Sequence, residues 1–189
     1  MNVYDFDKTI YDGDSTADFY LFSIKKHKKI LLLSPSLFCA FIKFYVFRSG
    51  SKTEFKEKMY RFLKYCNIPS DVNEFWNINK HKIKDYYLKN QQADDVIISA
   101  SPEFLLTPIC KQLEIKYLIA SVVDSTTGRY SGINCHGAEK VRRFYEEFGD
   151  RKINEFYSDS YSDSPLANIA TKAFIVKGNE IKDWEFTKK

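Results

Sequence analysis

Short apolar runs and long helix-compatible stretches divide the chain. Residues 2–6 (NVYDF) and 95–99 (DVIIS) are compact, β-prone and almost continuously apolar until they meet polar residues. Runs of that length read as buried strands ending in loops. Residues 117–123 (YLIASVV), 155–158 (EFYS) and 172–176 (KAFIV) repeat the pattern, with 172–176 expected as the last strand. Between them lie a helix near 102–114 opened by Pro102, a helix over 138–148 and a short helix started by Pro165. Residues 121–135 predict a hairpin turning at Thr127-Gly128. Residues 15–90 differ: helix-compatible segments dominate, broken at Pro35, Ser49-Gly50-Ser51 and Pro69.

Strands that alternate with helices predict a doubly wound, Rossmann-like parallel sheet. The strand at 2–6 is expected between the strands ending at Ser99 and Ser158. Ligands of such sheets bind beyond the carboxyl ends of the strands. Polar groups stand there in every case: Asp5 and Asp7, then Ser99 and Ser101, then Asp159 and Asp163. The domain reading follows. Residues 1–14 and 91–189 form the α/β core, and 15–90 form an inserted α-helical cap.

One apolar stretch complicates this picture. Residues 30–47 carry a single charge, Lys43, and basic residues flank them: Lys25, Lys26, Lys28 and Lys29 before, Arg48 and Lys52 after. A single membrane span is nearly long enough, but it would leave Asp5 and Asp159 on opposite sides. Two helical pieces meeting near Pro35 are expected instead, with Leu31, Leu32, Phe38, Phe41, Ile42 and Phe44 packed within the cap or over the site entrance. The alternative is peripheral membrane contact through the same residues.

Composition adds limits. The 189 residues suit one domain with an insert, and 44% hydrophobic with 29% charged residues is ordinary for a globular protein. A net charge of +4 is too small and too dispersed to argue for nucleic acid. Cys39, Cys66, Cys110 and Cys135 form no CxxC pair, and no His stands at ligand spacing from them, so free thiols are expected and a zinc site is not. The N-terminus lacks a secretory signal pattern, which points to the cytoplasm, with the inner membrane face as the variant.

The chemistry concentrates in Asp5-Phe6-Asp7. Two carboxylates spaced i, i+2 at a strand end can face one phosphate, Asp5 as nucleophile and Asp7 as general acid and base. A carboxylate facing a phosphate dianion needs cations, which Lys140 and a hard metal ion beside Asp5 and Asp159 would supply. Ser99 can donate to a phosphoryl oxygen. Each feature alone reads more simply as turn, cap or surface chemistry; their order and spacing carry the argument.

That order resembles the haloacid dehalogenase-like superfamily, in its phosphoserine-phosphatase-like branch. Asp5-Phe6-Asp7-Lys8-Thr9 matches its DxDxT motif, Ser99-Ala100-Ser101 the second motif, Lys140 the third, and Asp159 with Asp163 the fourth. The resemblance implies a Mg²⁺-dependent phosphomonoesterase working through phosphoaspartate. Asp5, Asp7 and Lys140 would be catalytic, and Ser99, Ala100 and Lys140 would bind phosphate. Asp5, the backbone carbonyl of Asp7, and Asp159 would hold Mg²⁺, with Asp163 completing the shell or orienting water. Relatives with other chemistries lack an acid at the position of Asp7. Lys8 stands where glycine is frequent, and Ser158 and Ser160 replace common glycines. The expected substrate is a small phosphorylated metabolite such as phosphoserine, recognised by Asp12, Asp14, Arg61 or nearby lysines. Similarity of 117–140 and of YSDSYSDSPL to phosphatidylglycerophosphate phosphatases keeps a lipid phosphate as the alternative. A catalytically silent binding protein is the remote one.

Overall fold

The computed structural model describes residues 1–48 and 52–186, without the side chains of 40, 41, 43, 45, 52 and 53. The break expected at 49–51 and the packing expected of Phe41 therefore lie outside the described residues.

The chain opens with β1 (Asn2–Tyr4) and passes at once into helices: α1 (Ser15–Lys26), α2 (Ser34–Phe41), α3 (Lys52–Tyr60), α4 (Ile68–Asn79) and α5 (Asp85–Asn90). Then come β2 (Val96–Pro102), α6 (Glu103–Gln112), β3 (Tyr117–Ser121), α7 (Ala138–Phe148), β4 (Ile153–Ser158), α8 (Ser164–Ala167), β5 (Ala170–Lys177) and β6 (Glu180–Asp183). The sheet order is β3-β2-β1-β4-β5-β6. β1 pairs in parallel with β2 on one side and β4 on the other, as the strand-end argument requires. One expectation fails here. The strand at 172–176 is not the last, because β6 adds an antiparallel edge through the turn at Gly178. Every residue of β6 is exposed, so its sequence EIKD carries no apolar signal by which to find it.

Period-two alternation sends successive side chains to opposite faces. Val3, Val96, Ile98 and Phe156 join the cluster that includes Phe144 and Ile153. Tyr4 and Ile97 join the other, which includes Leu105 and Ile109. That second cluster runs on without a break into the helical insert, through Phe19, Phe62, Phe75 and Trp76. The Trp76 indole donates to the Leu105 carbonyl at 2.6 Å, tying α4 to α6. The return of the insert is knitted to the loop after β1: Asp12 N donates to Lys82 O and Lys84 N to Ile10 O, both at 2.8 Å. Half of the insert is therefore continuous with the sheet's own core.

The segment 28–47 behaves differently. A 3-10 turn (Lys28–Leu33) meets α2 at Ser34, with Pro35 in the first turn of α2, where its missing N–H costs nothing. The two pieces near Pro35 are present, but the proline begins one rather than breaking one. Their packing departs from expectation. Leu31 (51%), Leu32 (74%) and Phe38 (64%) face outward, as do Val46 (65%) and Phe47 (73%). Of the expected set, Ile42 and Phe44 are half-buried, Phe44 stacking on Phe55, and among the described residues of this stretch Ile30 is the one buried in the core.

The hairpin expected over 121–135 is a loop with one bridge, Val123 to Tyr130. Its turn closes where Gly128 N donates to Asp124 O at 2.8 Å. Gly128 sits at φ +74, and a Cβ there would lie 2.7 Å from Tyr60, so close approach to the insert requires glycine.

Candidate active site

The carboxyl ends of β1, β2 and β4 meet the N-terminus of α7 around one cleft of about 350 Å³. The charges begin with Asp5, where the chain leaves the sheet. Its N–H still pairs with Tyr157 O at 2.9 Å, which fixes the start of the loop. The Lys140 ammonium donates to Asp5 Oδ1 and to Asp163 Oδ2, both at 2.7 Å. Lys140 is only 2% exposed, so this cation is held between the two carboxylates rather than out in solvent. Burial pushes the Asp5 carboxyl up and Lys140 pulls it down, leaving it raised to about 7. Burial opposes the Lys140 charge, yet the two acids more than restore it, and its pKa stands above the usual lysine value.

Thr9 bridges this group. Its hydroxyl donates to Asp5 Oδ2 at 3.4 Å and accepts from Asp159 N at 2.9 Å. The Ser158 hydroxyl holds Asp163 Oδ2 at 2.8 Å. Asp159 lines the same cleft, half-buried; burial raises its pKa against the pull of Lys8 and Lys177.

Asp7 is clamped separately. Ser15 N, at the start of α1, donates to Oδ1 at 2.7 Å, and the Ser101 hydroxyl donates to Oδ2. Burial and nearby Asp14 raise Asp7 to about 6 against these bonds, a value suited to giving and taking protons near neutral pH. Ser99 is buried, accepts Ser101 N at 3.1 Å, and lines the cleft with Ala100. Lys8 adopts φ +58, the left-handed conformation that the frequent glycine would hold there without strain. The Lys84 ammonium donates to Lys8 O and Gly178 O, both at 2.6 Å, which holds that turn in place.

All seven site residues expected from sequence line this one cleft: Asp5, Asp7, Ser99, Ala100, Lys140, Asp159 and Asp163. Of the substrate-recognition candidates, Asp14 lines it as well. Asp12 and Arg61 do not; Arg61 is exposed on a 3-10 turn. The insert instead contributes Thr16, Phe55, Lys56 and Met59 to the rim, and His136 approaches from the loop before α7.

A family model for haloacid dehalogenase-like hydrolases matches residues 3–168. The chain belongs to this hydrolase family. No curated protein sequence matches it. Among solved structures, a Bordetella pertussis Tohama I protein of unknown function superposes with TM-score 0.70 at 18% identity, covering 92% of this chain and 87% of that one. A phosphoserine phosphohydrolase-like protein from Francisella tularensis SCHU S4 gives TM-score 0.57 at 19% identity, covering 92% and 86%. A phospho-aspartyl intermediate analogue of phosphoserine phosphatase gives 0.51 at 16%, covering 90% and 83%. These likenesses concern the fold.

For this hydrolase, sequence reading missed the residues that support the site. Thr9 was visible only as a motif letter. Ser15 acts through its backbone N–H, which no side-chain pattern reveals. Lys84 lies far from the motifs and looks like any surface lysine.

Metal compatibility can be judged from the donors. Five carboxylates (Asp5, Asp7, Asp14, Asp159, Asp163) line the cleft with three lysines. Asp163 Oδ1 is buried with no hydrogen-bond partner. An unsatisfied buried carboxylate oxygen within an acidic, all-oxygen donor set fits a hard divalent cation such as Mg²⁺.

Proposed function

We propose that this hydrolase is a Mg²⁺-dependent phosphomonoesterase acting through phosphoaspartate on a small phosphorylated metabolite. The observation that carries the reading is the shared ammonium of Lys140, which holds Asp5 and Asp163 together in a cleft that Asp7 and Ser99 also line.

The chain's own groups then divide the work. Asp5 attacks phosphorus, forming the Asp5–phosphorus bond as the ester oxygen leaves. Asp7 gives the leaving oxygen a proton, then takes one from the water that hydrolyses the acyl phosphate and regenerates Asp5. Lys140 stays protonated throughout, and with Ser99 and the backbone at Ala100 it holds the phosphoryl oxygens. Asp5, the Asp7 carbonyl and Asp159 would hold Mg²⁺, with Asp163 beside them. When bound, the cation neutralises charge on the transferring phosphoryl group. Two proteins of similar fold, a phosphoserine phosphohydrolase-like protein and a phosphoserine phosphatase, support a phosphorylated small molecule as substrate.

A second reading has its own support. The outward-facing Leu32, Phe38, Val46 and Phe47 lie in a stretch with no acid between Asp18 and Glu54, and exposed Lys25, Lys28, Lys29 and Arg48 border it. Apolar side chains ringed by basic ones suit an anionic membrane surface. α2 packs on α3, which supplies Phe55, Lys56 and Met59 to the cleft rim. No helix among the described residues is long and apolar enough to cross a membrane. This arrangement is what supports a lipid phosphate, as in phosphatidylglycerophosphatases, as the alternative substrate.

A phosphatase panel of phosphoamino acids, sugar phosphates and phosphatidylglycerophosphate, with and without anionic liposomes, tests both readings. Release of phosphate that needs Mg²⁺ and stops reversibly with chelator supports the chemistry; full turnover in excess chelator refutes it. Preference for the liposomal substrate selects the lipid reading.

A further inference from the structure

A second cluster of ligand-type side chains lies in the helical insert. His27 ends α1, Cys66 ends the 3-10 turn Arg61–Tyr65, and Asp71 stands in the first turn of α4. One nitrogen, one sulfur and one carboxylate oxygen from these residues all lie within 4.8 Å of one another. The spacing rule that argued against zinc covers only sites built from neighbouring residues. Here the three donors come from three separate elements, so the fold assembles what the sequence does not display.

The surroundings point toward a ligand. Asp71 is 1% exposed, and its Oδ2 faces both His27 Nε2 at 2.6 Å and Asn67 N at 2.9 Å. Ser23, one helical turn before His27, is fully buried, and its hydroxyl has no hydrogen-bond partner. It lies near enough to the Cys66 thiol to lower a pKa that burial raises, and the thiol itself donates only a long bond to Phe62 O at 3.7 Å. A buried hydroxyl without a partner is costly, which makes it an expected outer support for a ligand sulfur. One group opposes: the Lys26 ammonium pairs with Asp71 Oδ1 at 2.9 Å. Lys26 is about one-third exposed and also pairs with Glu74, so it can keep that surface partner, and it meets Asp71 through Oδ1, leaving Oδ2 on the side of His27.

We propose that His27, Cys66 and Asp71 form a structural site for a borderline divalent cation, zinc being the type. Nitrogen, thiolate and carboxylate donors are the set zinc accepts, at distances of about 2.0–2.3 Å. In a tetrahedral shell of such bonds the donors stand roughly 3.3–3.7 Å apart, so the Cys66 sulfur must stay within that reach while the 2.6 Å His27–Asp71 pair opens and gives up its hydrogen bond. Binding converts the Cys66 thiol to thiolate and releases its proton to solvent, and water takes the fourth position. The bound ion would pin the ends of α1 and α4 to the turn between them, stiffening the insert whose α1 also clamps Asp7.

Cobalt(II) titration of the Cys39→Ser protein, with Mg²⁺ present to occupy the carboxylate cleft, tests this. Cys39 is the one exposed cysteine, and Cys110 and Cys135 are buried elsewhere in the core. The expected result is one equivalent of cobalt with a thiolate charge-transfer band. The band should vanish in Cys66→Ser, and affinity should fall at least about tenfold in His27→Gln. Zinc should raise the thermal midpoint of the parent but not of His27→Gln. Absence of any thiolate band in the parent, or a band that survives Cys66→Ser, overturns the site. Should Cys66→Ser fail to fold, the parent's band and the affinity in His27→Gln still decide: an unchanged affinity there overturns the site.

Discussion

The sheet face under β1 and the lobe at 28–47 are comparably apolar in sequence, yet they end in opposite surroundings. In the sheet, Val3, Ile97, Ile98 and Phe156 are wholly buried. In the lobe, Leu32, Phe38 and Phe47 are each more than 60% exposed. Strand neighbours and helices cover both faces of a parallel sheet, so its apolar runs have nowhere else to go. The lobe is built of short helical turns, and among the described residues its outward apolar side chains stay exposed. Apolarity therefore reports burial where topology supplies a partner, and it leaves an exposed apolar surface where topology does not.

This contrast can be broken or sharpened by substitution. The largest effect belongs to the site floor. Asp5→Asn should lower kcat by at least about 10⁴-fold, because the nucleophile is lost outright. Initial rates of phosphate release check this, and near-normal turnover would remove the covalent route. Next comes the sheet core. Phe156→Ala should cost about 3–5 kcal/mol in a urea melt, since it opens a cavity among β-strand neighbours. A cost below about 1 kcal/mol would mean that this face is loosely packed.

Asp95 offers a pH test within the same core. It is 1% exposed, its Oδ1 has no partner, and burial raises its pKa to about 6. The unfolded chain ionises this acid near its ordinary value of about 3.9, whereas the folded chain keeps the proton to about 6. The folded state thus binds more protons over that window, and stability falls as pH rises through it. Asp95→Asn should therefore stabilise the protein at pH 7 by roughly 1–2 kcal/mol, with the gain disappearing below about pH 4. A gain that persists at acid pH would point to another cause.

The smallest effect is expected in the lobe. Leu32→Ser and Phe47→Ser should change stability by no more than about 0.5 kcal/mol. The same pair should weaken salt-sensitive flotation with anionic liposomes if the membrane-surface reading holds. A large loss of stability would show that the lobe is covered in solution.

How much of this was legible beforehand depends on where the information resides. The central place of β1 followed from the polar groups after Tyr4, Ile98 and Tyr157, since parallel strands must gather their ends on one edge. Asp5, Asp7, Ser99, Asp159 and Asp163 were legible as polar groups after strands, whereas Lys140 and Ala100 stood out only through the order of motifs that the chain shares with the family. Ser15, Thr9 and Lys84 were not, because they act through a backbone N–H, a shared hydroxyl and a long-range reach to carbonyls. β6 escaped because an exposed edge strand has no apolar face to read. The cluster of His27, Cys66 and Asp71 escaped because its spacing exists only in three dimensions.

The central claim is that Asp5 carries the phosphoryl group. Acid quenching during turnover, followed by peptide mass spectrometry, tests it most directly. The account predicts one phosphoryl group on the peptide that contains Asp5, acid-stable but lost in hydroxylamine, absent in Asp5→Asn and accumulating in Asp7→Asn. Turnover with no label on that peptide, or a label that persists in Asp5→Asn, would contradict it.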